Sequence, residues 1–522
     1  VPRQPEAEFT LAGIVRRWAA DRGDAPALVY EGRSVTWAEL DHRSSRVAQG
    51  LLAEGVEPGD RVAYLDKNGP GSFEVLFGTA KGNAVHVPVN WRLSPNEIAT
   101  ILNDAGVRVL FVGTEFAGAL ERFEAALTSV SRIVMVGGAH DRHVDLEAWL
   151  SGRPAHDPGV LASADDLAML LYTSGTTGRP KGAMLTNRSL AGLRALADRL
   201  GCDDRTVSLV AMPMFHIGGG GWALVALDRG GTDVVLREVE PARIVEVIER
   251  HRVTQAFLVP TVIGMVLAEV DGRQVDFSSL TTLAYGASPI SETVLRRSLH
   301  AFGCGFVQLY GLTETTGGIV MLAPEDHDPS RPGLLQSCGR PMPGVEVRVV
   351  DPETGEDLPD GLVGELWVRS GQNMVGYWER EAETRQTLTP DAWLRTGDAG
   401  YRDGDGYLFL HDRIKDMILS GGENVYPAEV ENVLMAHPSV ADVAVIGVPH
   451  EVWGEAVTAL VVLTCGADAT AKELIGFARE QLAGYKCPKS VEFVAALPRN
   501  ASGKLLKREL RDRYRDAAAR PG

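Results

Sequence analysis

The sequence lacks the marks of several large protein classes. Its five cysteines (Cys202, Cys304, Cys338, Cys465 and Cys487) are odd in number and nowhere form a C-x-x-C pair. That pattern excludes a disulfide framework and a thiolate zinc site, and it fits reduced thiols in a cytoplasmic protein. Positive charge is scarce: 52 Lys and Arg stand against 69 Asp and Glu, a formal net charge of −17. A nucleic-acid-binding surface needs a concentrated basic stripe, so no nucleic-acid partner is expected. The N-terminus carries Arg3, Glu6, Glu8, Arg16 and Arg17 and no apolar core of a signal peptide. One uncharged stretch, Thr206 to Leu227, is long enough to span a bilayer, but it contains Pro213, His216 and the run Gly218 to Gly221. It reads as a buried loop with flanking structure, and no transmembrane segment is expected. Also missing are a G-x-x-x-x-G-K-[ST] loop, a dinucleotide-binding G-x-G-x-x-G between strand and helix, and the G-x-S-x-G elbow of a serine hydrolase.

What is present is an enzyme-like chain. Its 522 residues exceed what one hydrophobic core serves, and 57 Gly with 28 Pro imply many tight connections. From Thr36 onward, helical and extended patterns alternate. Thr36-Trp37-Ala38-Glu39 forms a capping box for a helix ending near Gly55, and Ser94 to Glu97 opens another. Strands are expected at 61–65, 85–89, 107–112, 132–136, 232–236, 254–259 and 282–285, a rhythm that predicts α/β layers with a largely parallel sheet. Short strands over 345–410 predict a distorted β-barrel. Beyond Asp412 to Asp416, a helix at 427–435, strands at 442–448 and 457–463, a helix at 471–482 and a last strand near 491–494 predict a compact α+β unit. The expected domains are 1–412 and 413–522.

The most informative stretch is Tyr172 to Ala183, YTSGTTGRPKGA, directly after the apolar run Leu167 to Leu171. Glycines let backbone approach a phosphate, hydroxyls and N–H groups donate to it, and a lysine adds charge. Here the chain resembles the adenylate-forming superfamily of acyl-CoA synthetases, adenylation domains and luciferases. Further motifs follow in the family's order: MPMFHIGG from Met212, YGAS from Tyr285, QLYGLTETTG from Gln308, RTGD from Arg395, DRIKDMILSGGENVYPAEVE from Asp412, and PRNASGK from Pro498. The match runs nearly the whole length and is closest to bacterial fatty-acid- and aryl-CoA ligases.

The resemblance implies an ATP- and Mg²⁺-dependent enzyme that adenylates a carboxylic acid and passes the acyl group to coenzyme A. By it, Thr173, Ser174, Gly175, Thr176, Thr177, Gly178 and Lys181 hold the β- and γ-phosphates. Thr313 approaches the α-phosphate and Glu314 positions Mg²⁺. Gly286, Ala287, Ser288, Gln308, Tyr310 and Gly311 form the adenine slot, with Tyr310 stacked on the base, while Asp398 and Arg413 take the ribose. Lys504 bridges the substrate carboxylate and the α-phosphate, lowering repulsion between two anions. The C-terminal domain rotates about Lys415 to bring Gly421, Gly422 and Glu423 to the thiol, and Lys486 meets a CoA phosphate. His216 gates an acyl pocket of Met214, Phe215, Gly218, Gly219, Val259, Pro260, Ala284, Gly311, Gly317 and Gly318.

By the resemblance, His216 stands where amino-acid-activating relatives have an aspartate, which argues against an amino acid, and no pocket candidate is charged, which disfavours a dicarboxylate. The small residues at 218–221 and 317–318 leave volume for an extended chain, so a medium- or long-chain fatty acid is expected. An aryl or steroid-side-chain acid is the alternative. A carrier protein as acceptor, a non-catalytic nucleotide-binding protein and assembly as a homo-oligomer stay open at this point.

Overall fold

The computed structural model describes residues 9–173, 180–331, 333–413, 416–420, 423–450, 453–499 and 505–518, with backbone alone at 412–413, 423–424 and 515–518. Local sequence rules set many of its boundaries. Thr36 and Glu39 close a capping box over the helix Trp37–Ala53, and Ser94 and Glu97 do the same for Pro95–Asp104, which has proline in its first turn. Thr470 and Glu473 repeat the device at Ala471–Arg479.

Two large sheets make up most of the chain. A seven-stranded sheet runs Val144–Asp145, Arg132–Val136, Val107–Gly113, Arg61–Leu65, Val85–Pro88, Leu167–Thr173, Lys181–Thr186, and is parallel until its last pair. A nine-stranded sheet places Val207–Val210, Gln255–Leu258, Thr282–Gly286 and Gly305–Leu312 side by side in parallel, then turns antiparallel through Gly317–Leu322. Val85–Pro88 and Gln255–Leu258 are buried at every position, as strands covered on both faces must be. The helices Trp37–Ala53 and Pro70–Lys81 pack between the sheets. Trp37, Phe73 and Phe77 belong to one core cluster with Met169 and Leu171 of the first sheet and Leu209 and Phe257 of the second.

The stretch Thr206 to Leu227 resolves into the strand Val207–Val210, a π-helical turn Ile217–Gly221 and the start of the helix Trp222–Asp228. Among the described residues no helix is long and apolar enough to cross a membrane.

The expected barrel is a four-stranded antiparallel half-barrel of Val345–Val350, Gly364–Ser370, Leu394–Arg402 and Leu408–Arg413. The C-terminal α+β unit has its own core, with Ile418, Val430, Leu434, Val445, Val457 and Leu474 in a cluster that shares no member with those of the two large sheets.

One buried group breaks the usual rule of polar satisfaction. Asp233, between Pro26–Tyr30 and Val207–Val210, is fully buried, and neither carboxylate oxygen has a hydrogen-bond partner among the described residues. Ser208, its register partner, has an unpartnered hydroxyl as well. Burial pushes the Asp233 carboxyl well above the ordinary carboxylate range. A carboxyl whose pKa is raised on folding binds more protons folded than unfolded, so its stability contribution is lost as pH rises through the folded value. Asp233→Asn stays neutral at every pH. The melting temperature of the variant relative to the parent is therefore expected to rise by roughly 2–4 °C between pH 5 and pH 8. A pH-independent difference in differential scanning fluorimetry would contradict the assignment of that buried proton.

Candidate active site

The site is built where the two large sheets and the half-barrel meet. Leu167–Thr173 and Lys181–Thr186 form an antiparallel pair in which Thr173 faces Lys181. The Thr/Gly-rich connection between them contains Ser174, Gly175, Thr176, Thr177 and Gly178, which lie outside the described residues. Its two ends are thus fixed by strand pairing.

From the other sheet, Gly305–Leu312 turns sharply into Gly317–Leu322 through Thr313, Glu314, Thr315 and Thr316. The Thr315 hydroxyl accepts from the Leu312 N–H (2.8 Å) and donates to the Gly317 carbonyl (2.9 Å), which pins this turn. Gly311 is dictated by the same hairpin, because a Cβ there would sit 1.9 Å from the Gly317 oxygen. Thr313 and Glu314 are half-buried at the tip.

The segment 372–378 ties this turn to the first sheet. The Met374 N–H donates to the Glu314 carbonyl (2.8 Å), the Val375 N–H to that of Met184 (3.1 Å), and the Trp378 N–H to that of Gly182 (2.8 Å). The Tyr377 hydroxyl donates to Glu314 Oε1 at 2.7 Å, and Lys181 Nζ lies 5.2 Å from the centre of the Tyr377 ring. Sequence reasoning missed Tyr377. Its one sequence signal is its place after Gly376, too weak to find it.

The half-barrel supplies Asp398. Glu365 accepts from the Trp367 indole N–H (2.8 Å) and the Gly397 N–H (3.0 Å), while the Thr396 hydroxyl donates to the Leu366 carbonyl (2.7 Å). These contacts shape an irregular turn in the pairing of Gly364–Ser370 with Leu394–Arg402, from which the Asp398 side chain projects. The Tyr310 hydroxyl donates to Asp398 Oδ2 at 2.8 Å, and both residues are buried. Burial first, and the Asp398 charge second, raise the Tyr310 phenol well above its ordinary value, so it stays a donor. Arg413 faces Asp398 in strand register; its side chain lies outside the described residues.

The adenine candidates cluster at adjacent strand ends. Gly286 leaves no room for a Cβ, which would lie 2.2 Å from the Leu309 carbonyl oxygen. Ala287 follows in the left-handed region (φ 66°) and is exposed, with Ser288 half-buried. Gln308 faces Tyr285 in register, and its Oε1 accepts from the Tyr285 hydroxyl at 3.3 Å.

His216 precedes the π-helical turn, its ring 4.6 Å from that of Phe215. Its Nε2 is buried without a partner among the described residues. Burial, with a smaller contribution from Arg92, pulls its pKa down to about 4, so the imidazole is neutral at pH 7. Met214 is fixed by Asn68, whose Oδ1 accepts from the Met214 N–H (3.0 Å). Val259 and Pro260 start a helix and are both buried, as is Ala284 in its strand.

The expectation of open volume at the glycines is not met. A Cβ on Gly219 would lie 2.1 Å from the Pro213 oxygen, and one on Gly220 2.6 Å from that of Met214. Gly218 faces the Phe257 ring and Gly318 the Leu309 side chain, at 3.2 and 3.3 Å from a modest Cβ. Gly317 takes φ 96°, serving the turn. These glycines accommodate close backbone and side-chain packing. Beside them, the cavity lined by Met214, Phe215, Gly220 and His86 measures only about 20 Å³.

Lys486, in the C-terminal unit, donates to Glu429 Oε1 at 2.7 Å. Glu423 pairs with Ser420 in a short hairpin, its side chain outside the described residues. Lys415, Gly421, Gly422 and Lys504 also lie outside them. Among the described residues no group of three or more His, Cys, Asp or Glu could hold a metal alone. Glu314 is instead a single carboxylate, which suits Mg²⁺ completed by nucleotide phosphates and water.

Comparison with known proteins matches residues 15–378 to the AMP-binding enzyme family and residues 429–504 to the AMP-binding enzyme C-terminal domain. The chain is 44% identical to a fatty acid–[acyl-carrier-protein] ligase, ScoC, of Streptomyces coeruleorubidus, covering 98% of both. It is 41% identical to a feruloyl-CoA synthase of an Amycolatopsis species, over 94% of this chain and 96% of that one. The crystal structure of the anthranilate CoA ligase AuaEII in complex with anthranoyl-AMP superposes with a TM-score of 0.91 at 28% identity, over 99% of each chain. ATP-bound MatB from Rhodopseudomonas palustris superposes at 0.87 with 31% identity, over 97% and 99%. With both family domains matched and the whole fold shared, this chain belongs to the adenylate-forming superfamily, together with the acyl-CoA ligases.

Proposed function

We propose that this enzyme couples ATP cleavage to the ligation of an apolar monocarboxylic acid to coenzyme A, with residues 1–412 as the adenylating domain and 413–522 as a domain that moves between two half-reactions. The observation that carries the reading is the convergence of Lys181, Glu314 and Asp398, from three different sheets, on the strand ends beside Gly286, Gln308 and Tyr310. In the first step a carboxylate oxygen attacks the α-phosphorus, forming the acyl–phosphate bond as the bond to pyrophosphate breaks. In the second, the thiol sulfur attacks the acyl carbonyl, losing its proton, and AMP leaves with the bonding electrons.

Lys181 and the hydroxyl-rich connection before it neutralise charge on the departing pyrophosphate. Glu314 would hold Mg²⁺, which when bound neutralises phosphate oxygens. Asp398 accepts from the ribose hydroxyls, and Lys504 brings the two anions together. The neutral His216 closes the acyl site without placing a charge beside an apolar chain.

The packing of Gly218, Gly219 and Gly220 removes one ground for an extended acyl chain. A compact acid, aryl or medium-chain, is favoured over a long fatty acid. The relative that acts on an acyl-carrier protein gives a second reading of the acceptor.

The test is acid-dependent pyrophosphate release over benzoate, ferulate, octanoate, laurate and palmitate, with thioester mass measured after addition of CoA or a carrier protein. Turnover of a compact acid with its CoA thioester supports the proposal. Adenylate that transfers only to carrier protein replaces CoA as acceptor, and preference for palmitate overturns the compact-acid assignment.

A further inference from the structure

Glu314 and Lys181 belong to different sheets, and no strand pairing fixes their separation. The segment 372–378 does. At one end the Thr316 hydroxyl donates to the Gln372 carbonyl (2.6 Å) and the Met374 N–H to that of Glu314 (2.8 Å). At the other, the Met184 N–H donates to the Gly376 carbonyl (2.9 Å), and Tyr377 bridges to Ala183 in antiparallel fashion. Gly376 makes the close approach feasible: it takes φ 147°, and a Cβ there would lie 2.9 Å from Thr384 Cγ2.

At the centre of this strut, the buried Tyr377 meets both groups, its hydroxyl on Glu314 Oε1 (2.7 Å) and its ring face under the Lys181 ammonium (5.2 Å to the ring centre).

We propose that Tyr377 is a positioning residue for adenylation, setting the metal-binding carboxylate and the phosphate-binding lysine in register across the two sheets. Its hydroxyl occupies one oxygen of Glu314, which fixes the carboxylate plane and leaves the other oxygen for a cation. Its ring restrains Lys181 by a cation–π contact that a flexible lysine would otherwise lack. This inference rests on the adenylation reading above, and Tyr377 acts through Glu314 and Lys181 rather than on the reacting atoms.

Two substitutions separate its two contacts. Tyr377→Phe keeps the ring and removes the hydroxyl; Tyr377→Leu removes both. The measurements are equilibrium binding of a non-hydrolysable ATP analogue with and without Mg²⁺, and each half-reaction separately.

Tyr377→Phe is expected to raise the Mg²⁺ concentration for half-maximal nucleotide binding by about tenfold, the scale of one hydrogen bond to a charged group. Binding without Mg²⁺ and thioester formation from supplied acyl-adenylate should stay unchanged. In a Glu314→Ala background the same change should cost less than about twofold, because the acceptor of the contact is already gone. Tyr377→Leu should also weaken Mg²⁺-free nucleotide binding, by about three- to tenfold, as Lys181 loses its platform.

An unaltered Mg²⁺ response in Tyr377→Phe, additivity with Glu314→Ala, or equal loss of both half-reactions alongside a lowered melting temperature would each overturn the proposal. A parent enzyme that binds no ATP analogue at all would instead sink the adenylation reading itself.

Discussion

Replacing Lys504 by alanine is expected to cut acyl-adenylate formation by about 10²–10³-fold, the range seen when one preorganised charge-stabilising donor is removed. Thioester formation from supplied acyl-adenylate should change by less than about twofold, since the lysine is needed while two anions are joined and not when a thiol attacks the mixed anhydride. The residue lies outside the described part of the structure, so this expectation stands on the motif Pro498 to Lys504 and on the chemistry of the step. Single-turnover assays of the two half-reactions measure it. Equal loss in both would mean that Lys504 supports the C-terminal domain as a whole and that the division of labour is wrong.

Asp398→Ala is the second large effect. Two hydrogen bonds from ribose hydroxyls to a carboxylate are together worth roughly 3–6 kcal/mol. The kcat/KM for ATP is therefore expected to fall by about 10²–10⁴-fold. Discrimination against 2′,3′-dideoxy-ATP should vanish at the same time, because the parent alone can use those hydroxyls. The substitution also strands the buried Tyr310 hydroxyl, which now donates to Asp398 at 2.8 Å. A loss of about 1–3 kcal/mol of stability should accompany it.

Tyr310→Phe is the internal control. It removes the same hydrogen bond from the other side but leaves the carboxylate free for ribose, so ATP use should fall by no more than about tenfold. Retained discrimination against the dideoxy nucleotide in Asp398→Ala would remove Asp398 from the ribose site, whatever its effect on turnover.

The corrections in the acyl region have one physical origin. A glycine in sequence announces a missing Cβ, but it does not say what occupies the space. At Gly219 and Gly220 the occupant is the backbone of the preceding Pro213 and Met214, brought back by the π-helical turn. At Gly311 it is the opposing strand.

The amino-acid sequence by itself determined the family, the order of the motifs, the α/β layering and the boundaries of the best-capped helices. Those features are local. A capping box closes over four residues, a strand shows its burial in its own side chains, and a phosphate-binding connection carries its chemistry in consecutive residues. Only the tertiary structure decided how the chemistry is joined. Tyr310 reaches Asp398 across 88 positions and Tyr377 reaches Glu314 across 63, each by a side-chain hydrogen bond between parts of the chain that no shared strand pairing joins. Such contacts are set by how whole layers pack, and a short-range pattern holds no record of which buried hydroxyl will stand opposite which carboxylate.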